Sequence, residues 1–214
     1  MAIVDVDRGA ARIVRERDHP SAEYDGLATI LRTFLDEGGD RPAQACVAIA
    51  GPVVGDVAQA TNLPWAVNRA DVATAVGIAR FGLINDFFAV GVGLEFLTPG
   101  DLVTLQVGEP REHGPVAYLG AGTGLGVGFR EWSGVAYQVY ASEGGHADFA
   151  PTSDEQIELL RFLREKLGGH VSVERVLSGP GLGDLYRFAR AKTGVAEPAW
   201  LTHELAASDF NAVV

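Results

Sequence analysis

Apolar residues cluster early in the chain, and the spacing of polar breaks between them sets the first elements. Ala2 to Val6 reads as a strand, Asp7-Arg8-Gly9 as a turn and Ala11 to Glu16 as the returning strand. Asp25 is placed to cap a helix whose apolar positions Leu27, Ile30, Leu31, Phe34 and Leu35 keep one face, and Gly38-Gly39 ends it. Ala45 to Ala50 has the continuous apolar pattern of a buried strand, stopped by Gly51-Pro52, and Val57 to Ala60 is expected to pair beside it. After the irregular Thr61 to Trp65 comes a weaker helix from Arg69 to Val76. The run Phe81 to Phe87 then predicts a strand whose last polar residues, Asn85 and Asp86, open a helix carrying Val90, Leu94 and Leu97. Pro99-Gly100 marks a break and a lobe boundary, dividing residues 1–98 from 99–214.

The second half turns on Val116 to Phe129, where two short apolar runs flank glycines at 120, 122, 124, 126 and 128 around Thr123. This predicts a hairpin bending over Gly120 to Gly126, with glycines supplying positive φ and close approach of backbone N–H groups to an anion. Ser153 to Leu167 predicts a helix with Ser153 and Gln156 as a capping box and Ile157, Leu160, Leu163 and Leu167 as the buried stripe. Ser172 is expected to cap a short helix containing Glu174, which ends in Ser178-Gly179-Pro180-Gly181. A helix from about Leu182 to Lys192 and another near His203 follow.

With 214 residues the chain can bury a real core, in one large domain or two small ones. Seventeen basic against 28 acidic residues give a net charge of −11, which argues against nucleic acid or an anionic membrane as partner. Cys46 is the single cysteine, so intrachain disulfides and cysteine-cluster metal sites are excluded, which suits a reducing cytoplasm. No apolar run approaches a membrane span.

Candidate chemistry lies at four places. The glycine hairpin lacks the G-x-G-x-x-G spacing of dinucleotide folds and the Gly-Lys-Ser/Thr of a P-loop, leaving a tight β-turn that is either empty or anion-binding. Asp86 falls at a helix N-terminus, where the macrodipole and free N–H groups favour negative charge, as a proton acceptor or as an ordinary N-cap. Glu143-Gly144-Gly145-His146-x-Asp148 brings two acids and an imidazole together, as metal ligands or as hydrogen-bond partners of a neutral sugar. Glu174, read by itself, is a solvated surface acid.

Six segments in order then resemble bacterial glucokinases of the hexokinase and actin-like ATPase superfamily: A-I-A-G-P-V (48–53), T-N-L-P-W (61–65), I-N-D-F (84–87), G-A-G-T-G-L-G (120–126), E-G-G-H-A-D-F-A-P (143–151) and V-E-R-V-L-S-G-P-G (173–181). The cysteine-rich zinc motif of the ROK sugar kinases is absent, which points to the other bacterial glucokinase group. The resemblance implies a two-lobed actin-like (ribonuclease H-like) α/β architecture, incomplete at both termini, with the sugar in a cleft between the lobes. It implies ATP and Mg²⁺ as cofactors and glucose as substrate, and it admits a homodimer. Asp86 matches the catalytic base; Asn85, Glu143, His146 and Glu174 match residues that bind glucose hydroxyls. Gly122, Thr123 and Gly124 fall in the second phosphate loop, and the metal-ligand set is expected to be none.

The family's opening strand with its first phosphate loop, and its later adenosine-binding segment, have no counterpart in the chain. The strands at Ala2 to Val6 and Ala45 to Ala50 are therefore expected to lose backbone partners, and the chain to be a fragment of low activity. A non-catalytic sugar-binding or regulatory protein is the alternative from another class, and the presence of Asp86 speaks against it. A metallohydrolase on Glu143, His146 and Asp148 is the third reading.

Overall fold

The computed structural model describes residues 1–7, 10–60 and 65–207. Arg8 and Gly9 of the first expected turn, Thr61 to Pro64 of the T-N-L-P-W segment, and residues 208–214 lie outside the described residues. The chain divides between Val90 and Gly91 into two compact units. Among the described residues no helix is long and apolar enough to cross a membrane.

The first unit begins with the expected antiparallel pair, β1 (Ala2–Asp7) and β2 (Ala10–Glu16). Helix α1 (Leu27–Gly38) buries Ile30, Leu31, Phe34 and Leu35 as its spacing requires. Its N-cap is Gly26 without a side-chain bond, so the capping role expected of Asp25 is not realised. Gly39 closes the helix at φ 65°, a left-handed turn that favours glycine. Strand β3 (Gln44–Ile49) then leads into three short antiparallel strands, β4 (Val53–Val54), β5 (Val57–Gln59) and β6 (Ala66–Asn68).

The expected pairing of Val57 to Ala60 beside the Ala45 strand is thus overturned, because the Gly51-Pro52 break and the turn at Gly55 (φ 61°) fold β5 back onto β4. The partner of β3 is β7 (Arg80–Asn85), parallel to it and reached through helix α2 (Arg69–Val76). The side chain of Asn68 caps α2 by accepting from the Ala70 and Asp71 N–H groups. Leu31, Ala58, Val67, Val72, Phe81 and Leu83 form this unit's core. Among the described strands β1 pairs with β2 and β3 with β7 only, and a groove of about 970 Å³ runs beside them, lined by Ile3, Val6, Ala45, Val47 and Phe81.

Helix α3 (Asp86–Gly93) starts directly from β7 and is shorter than its apolar pattern suggests. Val90 and Leu97 are exposed, and the chain passes through 3₁₀ turns at Leu94–Phe96 and Pro99–Asp101, the second closed by Thr98 and Asp101.

The second unit holds a three-stranded antiparallel meander, β8 (Val116–Ala121), β9 (Leu125–Trp132) and β10 (Tyr137–Ser142). A 3₁₀ turn at Gly144–His146 and helix α4 (Asp154–Leu167) come next. Ser153 caps α4 as expected, but the Gln156 side chain reaches past it to the N–H and hydroxyl of Thr152. The buried face is Leu159 and Leu163, with Leu160 and Phe162 half-buried, while Ile157 and Leu167 of the expected stripe are exposed. A 3₁₀ turn at Val173–Arg175 precedes α5 (Gly179–Thr193), which begins three residues earlier than its apolar pattern suggests because Ser178 caps it through the Gly181 N–H. Helix α6 (Ala199–Ala207) follows. Leu159, Leu163 and Val171 centre this unit's core, ringed by Phe149, Phe162 and Phe188.

Candidate active site

In the first unit, Asn85 and Asp86 stand at the junction of β7 and α3. With no loop between β7 and α3, the last strand residue is also the residue before the helix. Asn85 takes the capping role: its Oδ1 accepts from the Phe87 and Phe88 N–H groups at 2.9 and 3.0 Å. Its Nδ2 donates to the Gly51 carbonyl and to Asp86 Oδ1, each at 3.0 Å. Asp86 is exposed, and its Oδ1 also accepts from the Phe87 N–H at 2.8 Å. Among the described residues Oδ2 takes no hydrogen bond, so one carboxylate oxygen is tethered and the other is available. The cap suspected of Asp86 therefore belongs mainly to its neighbour.

In the second unit lie the glycine hairpin and the residues Glu143, His146 and Glu174. The glycine hairpin forms, but pairing continues to Ala121 and Leu125, which narrows the bend from the expected Gly120 to Gly126 to Gly122-Thr123-Gly124. The Gly122 N–H closes it onto the Gly124 carbonyl at 2.8 Å, and Thr123 is exposed at the tip. None of the five hairpin glycines has positive φ, so that part of the expectation is corrected. Close approach explains two of them instead. A Cβ on Gly124 would lie 2.7 Å from Glu174 Oε2, and one on Gly128 would enter the ring of Tyr118, directly opposite on β8. Burial pushes the Tyr118 hydroxyl above its ordinary pKa, with nearby Arg130 opposing.

Glu143 precedes the 3₁₀ turn and His146 is its last residue, and Gly145 between them packs on the Leu125 backbone with no room for a Cβ. His146 Nδ1 is 3.1 Å from Glu143 Oε2, and its Nε2 is 3.7 Å from Glu174 Oε1. The segments following His146 and preceding Glu174 bring them together: the Phe149 N–H donates to the Val171 carbonyl and the Val173 N–H to the Ala147 carbonyl. Glu174 is not the solvated acid that its isolated sequence suggests. Its side chain is only 20% exposed, and Oε2 accepts the Leu125 N–H at 2.9 Å. Ser172, buried, makes no side-chain cap.

The structure thus assembles Glu143, His146 and Glu174 beside the Gly122–Gly124 turn. Asp148 is not part of that cluster, because its carboxylate faces His170 Nε2 at 2.8 Å, and no group of three metal-ligating side chains is assembled among the described residues. The metallohydrolase reading therefore lacks its ligand set. Sequence reasoning missed one supporting contact: the Gly179 N–H, at the start of α5, donates to the Gly122 carbonyl at 2.7 Å. The Ser178-Gly179-Pro180-Gly181 run was its visible signal, a helix start with a bare backbone.

The glucokinase family profile matches residues 1–212. A glucokinase of Nostoc punctiforme is 44% identical over 192 residues, 89% of this chain and 56% of that protein. One of Tolumonas auensis is 42% identical over 172 residues, 80% of this chain and 53% of that protein. The chain thus spans about half the length of these relatives. The crystal structure of a glucokinase from an Antarctic psychrotroph superposes with a TM-score of 0.78 at 30% identity, over 99% of this chain and 68% of that one. A glucokinase from Balamuthia mandrillaris, solved in complex with glucose, has a TM-score of 0.58 at 23% identity, a likeness of fold. With a profile spanning nearly every residue and relatives above 40% identity along the same stretch, the chain belongs to the glucokinase family.

Proposed function

We propose that this chain carries the substrate-handling residues of an ATP-dependent glucokinase, which transfers the γ-phosphoryl group to the 6-hydroxyl of glucose. The observation that carries the reading is the meeting of Glu143, His146 and Glu174 with the Gly122–Gly124 turn in a chain of this family. A cluster of carboxylates and an imidazole suits sugar hydroxyls, and an exposed Thr123 hydroxyl between glycines suits phosphate oxygens.

In this reading Asn85, Glu143, His146 and Glu174 hold glucose, and Gly122, Thr123 and Gly124 hold the nucleotide phosphates. The Asp86 carboxylate accepts the 6-hydroxyl proton as that oxygen bonds to the γ-phosphorus and the bond to the ADP oxygen breaks. Asn85 keeps Asp86 oriented through the Nδ2 bond. The chain's part is positioning and proton transfer, the main demands of phosphoryl transfer. ATP enters as its Mg²⁺ complex, which reduces the repulsion between the polyphosphate and a protein of net charge −11. The product, glucose 6-phosphate, is the entry to glycolysis in the cytoplasm. The two-lobed actin-like architecture, with lobes at 1–98 and 99–214, remains part of this reading.

The test is coupled glucose 6-phosphate formation with calorimetric glucose binding, on this chain and on its Asp86→Asn variant. The expected result is unchanged sugar affinity with turnover lowered about 10²- to 10⁴-fold. Equal turnover in the two proteins overturns Asp86 as base. Glucose binding with no calorimetric affinity for an ATP analogue supports the sugar-binding alternative, and affinity for neither supports an inert fragment.

A further inference from the structure

We propose that Glu174 is a positioning residue that couples sugar occupancy to the geometry of the nucleotide turn, an inference that rests on the glucokinase reading above. The Gly122-Thr123-Gly124 turn has little to hold it from within, since two of its three residues lack side chains and its own closure is one hydrogen bond. Among the described residues its external braces come from a single neighbouring stretch. The Gly179 N–H donates to the Gly122 carbonyl, and the Leu125 N–H, immediately after the turn, donates to Glu174 Oε2. A carboxylate accepting a backbone N–H makes the stronger, charge-assisted kind of bond.

The two oxygens of Glu174 face different ways. Oε2 is on the hairpin, and Oε1 is 3.7 Å from His146 Nε2, within the cluster assigned to the sugar. A sugar hydroxyl donating to Oε1 fixes the carboxylate's rotamer, and the same rigid group then holds the Leu125 amide more firmly. By linkage, an ordered turn presents a better-placed carboxylate to the sugar, so the benefit runs both ways. Gly124 belongs to the same device: its missing Cβ is what lets the carboxylate reach the strand, with 2.7 Å between a Cβ built there and Oε2. A residue in the nucleotide turn therefore controls the sugar site.

The experiment measures glucose affinity by calorimetry without nucleotide, on the unaltered chain, Gly124→Ala, Glu174→Gln and Glu174→Ala, together with the ¹⁵N–¹H resonance of Leu125. Gly124→Ala is expected to weaken glucose binding about tenfold or more, within the ordinary range of coupling between sites. The Leu125 amide is expected to shift when glucose is added to the unaltered chain. In Glu174→Gln the side-chain carbonyl still accepts the Leu125 N–H, so its resonance stays near the original position, whereas in Glu174→Ala it moves to that of an unbonded amide. That rescue shows that the Leu125 N–H is bonded by this side chain, and the shift on adding glucose is the readout that a purely structural bond would not move. If Gly124→Ala does not fold, the Leu125 shift and its rescue decide the matter. Glucose binding that is unchanged in Gly124→Ala, or a Leu125 amide indifferent to glucose, overturns the coupling while leaving the glucokinase reading intact. Absence of any glucose binding by the unaltered chain overturns the reading itself and the coupling with it.

Discussion

Asn85 and Asp86 divide between them two tasks that a single residue at a helix start usually combines. Asn85 places its carbonyl on the Phe87 and Phe88 N–H groups and its amide on the Gly51 carbonyl and the Asp86 carboxylate. Replacing it with alanine removes a cap, at about 0.5 to 2 kcal/mol of stability, and releases Asp86 from one of its tethers. The expected outcome for Asn85→Ala is a lower unfolding midpoint in urea together with lower turnover. Asn85→Asp keeps a capping oxygen but loses the donor to Asp86 and places two acids side by side. It should recover the stability and not the turnover, and recovery of both would show that orientation of Asp86 does not depend on Asn85.

At the scale of elements, much of the architecture was legible wherever a local signal was strong. Helix α1 showed its buried face in Ile30, Leu31, Phe34 and Leu35, and α4 its cap in Ser153. What the sequence hid were outcomes decided by distant partners. The pairing of β3 with β7 instead of β5 depends on which edges meet, and Glu174 leaves solvent only because the strand-like contacts at Phe149 and Val173 carry it to Leu125. The alternating glycines were visible, but their purpose was not: Gly128 makes room for Tyr118 and Gly124 for Glu174, contacts across strands or from another element.

The join between α5 and α6 gives a pH dependence at this scale. Glu197 accepts the Tyr186 hydroxyl at 2.8 Å and the Thr202 hydroxyl at 3.0 Å, and it pairs with Arg190. The Tyr186 bond first, then those from Thr202 and the charge of Arg190, hold its carboxyl below the ordinary value of 4.5 despite an opposing effect of burial. A folded value below the unfolded one means that this contribution is present above about pH 4.5 and is lost as pH falls through the lower folded value. Hydrogen exchange in residues 199–207, corrected for its intrinsic pH dependence, should therefore accelerate in acid. In Glu197→Gln that acceleration should disappear, and an unchanged acid response would place its origin elsewhere.

For the molecule as a whole, the notable property is that each unit keeps its own core. Leu31, Ala58, Val67, Val72, Phe81 and Leu83 close one, and Leu159, Leu163 and Val171 the other. Leu163 is fully buried, so Leu163→Ala removes both transfer free energy and packing, at about 2 to 5 kcal/mol. Because its neighbours are Phe149, Phe162, Phe188 and others of the second unit, the loss should be felt there: exchange protection should fall across α4 and α5 and persist in β3, α2 and β7. Phe81→Ala, in the core of the first unit, should give the reverse map at a cost of about 3 to 5 kcal/mol. Functional consequences follow the same division. Leu163→Ala should weaken glucose binding through the cluster around Glu174, while Phe81→Ala, in the strand that ends in Asn85, should act mainly on turnover. If either substitution instead removes protection from both units equally, the chain unfolds as one cooperative body, and the separate cores do not confer separate stability.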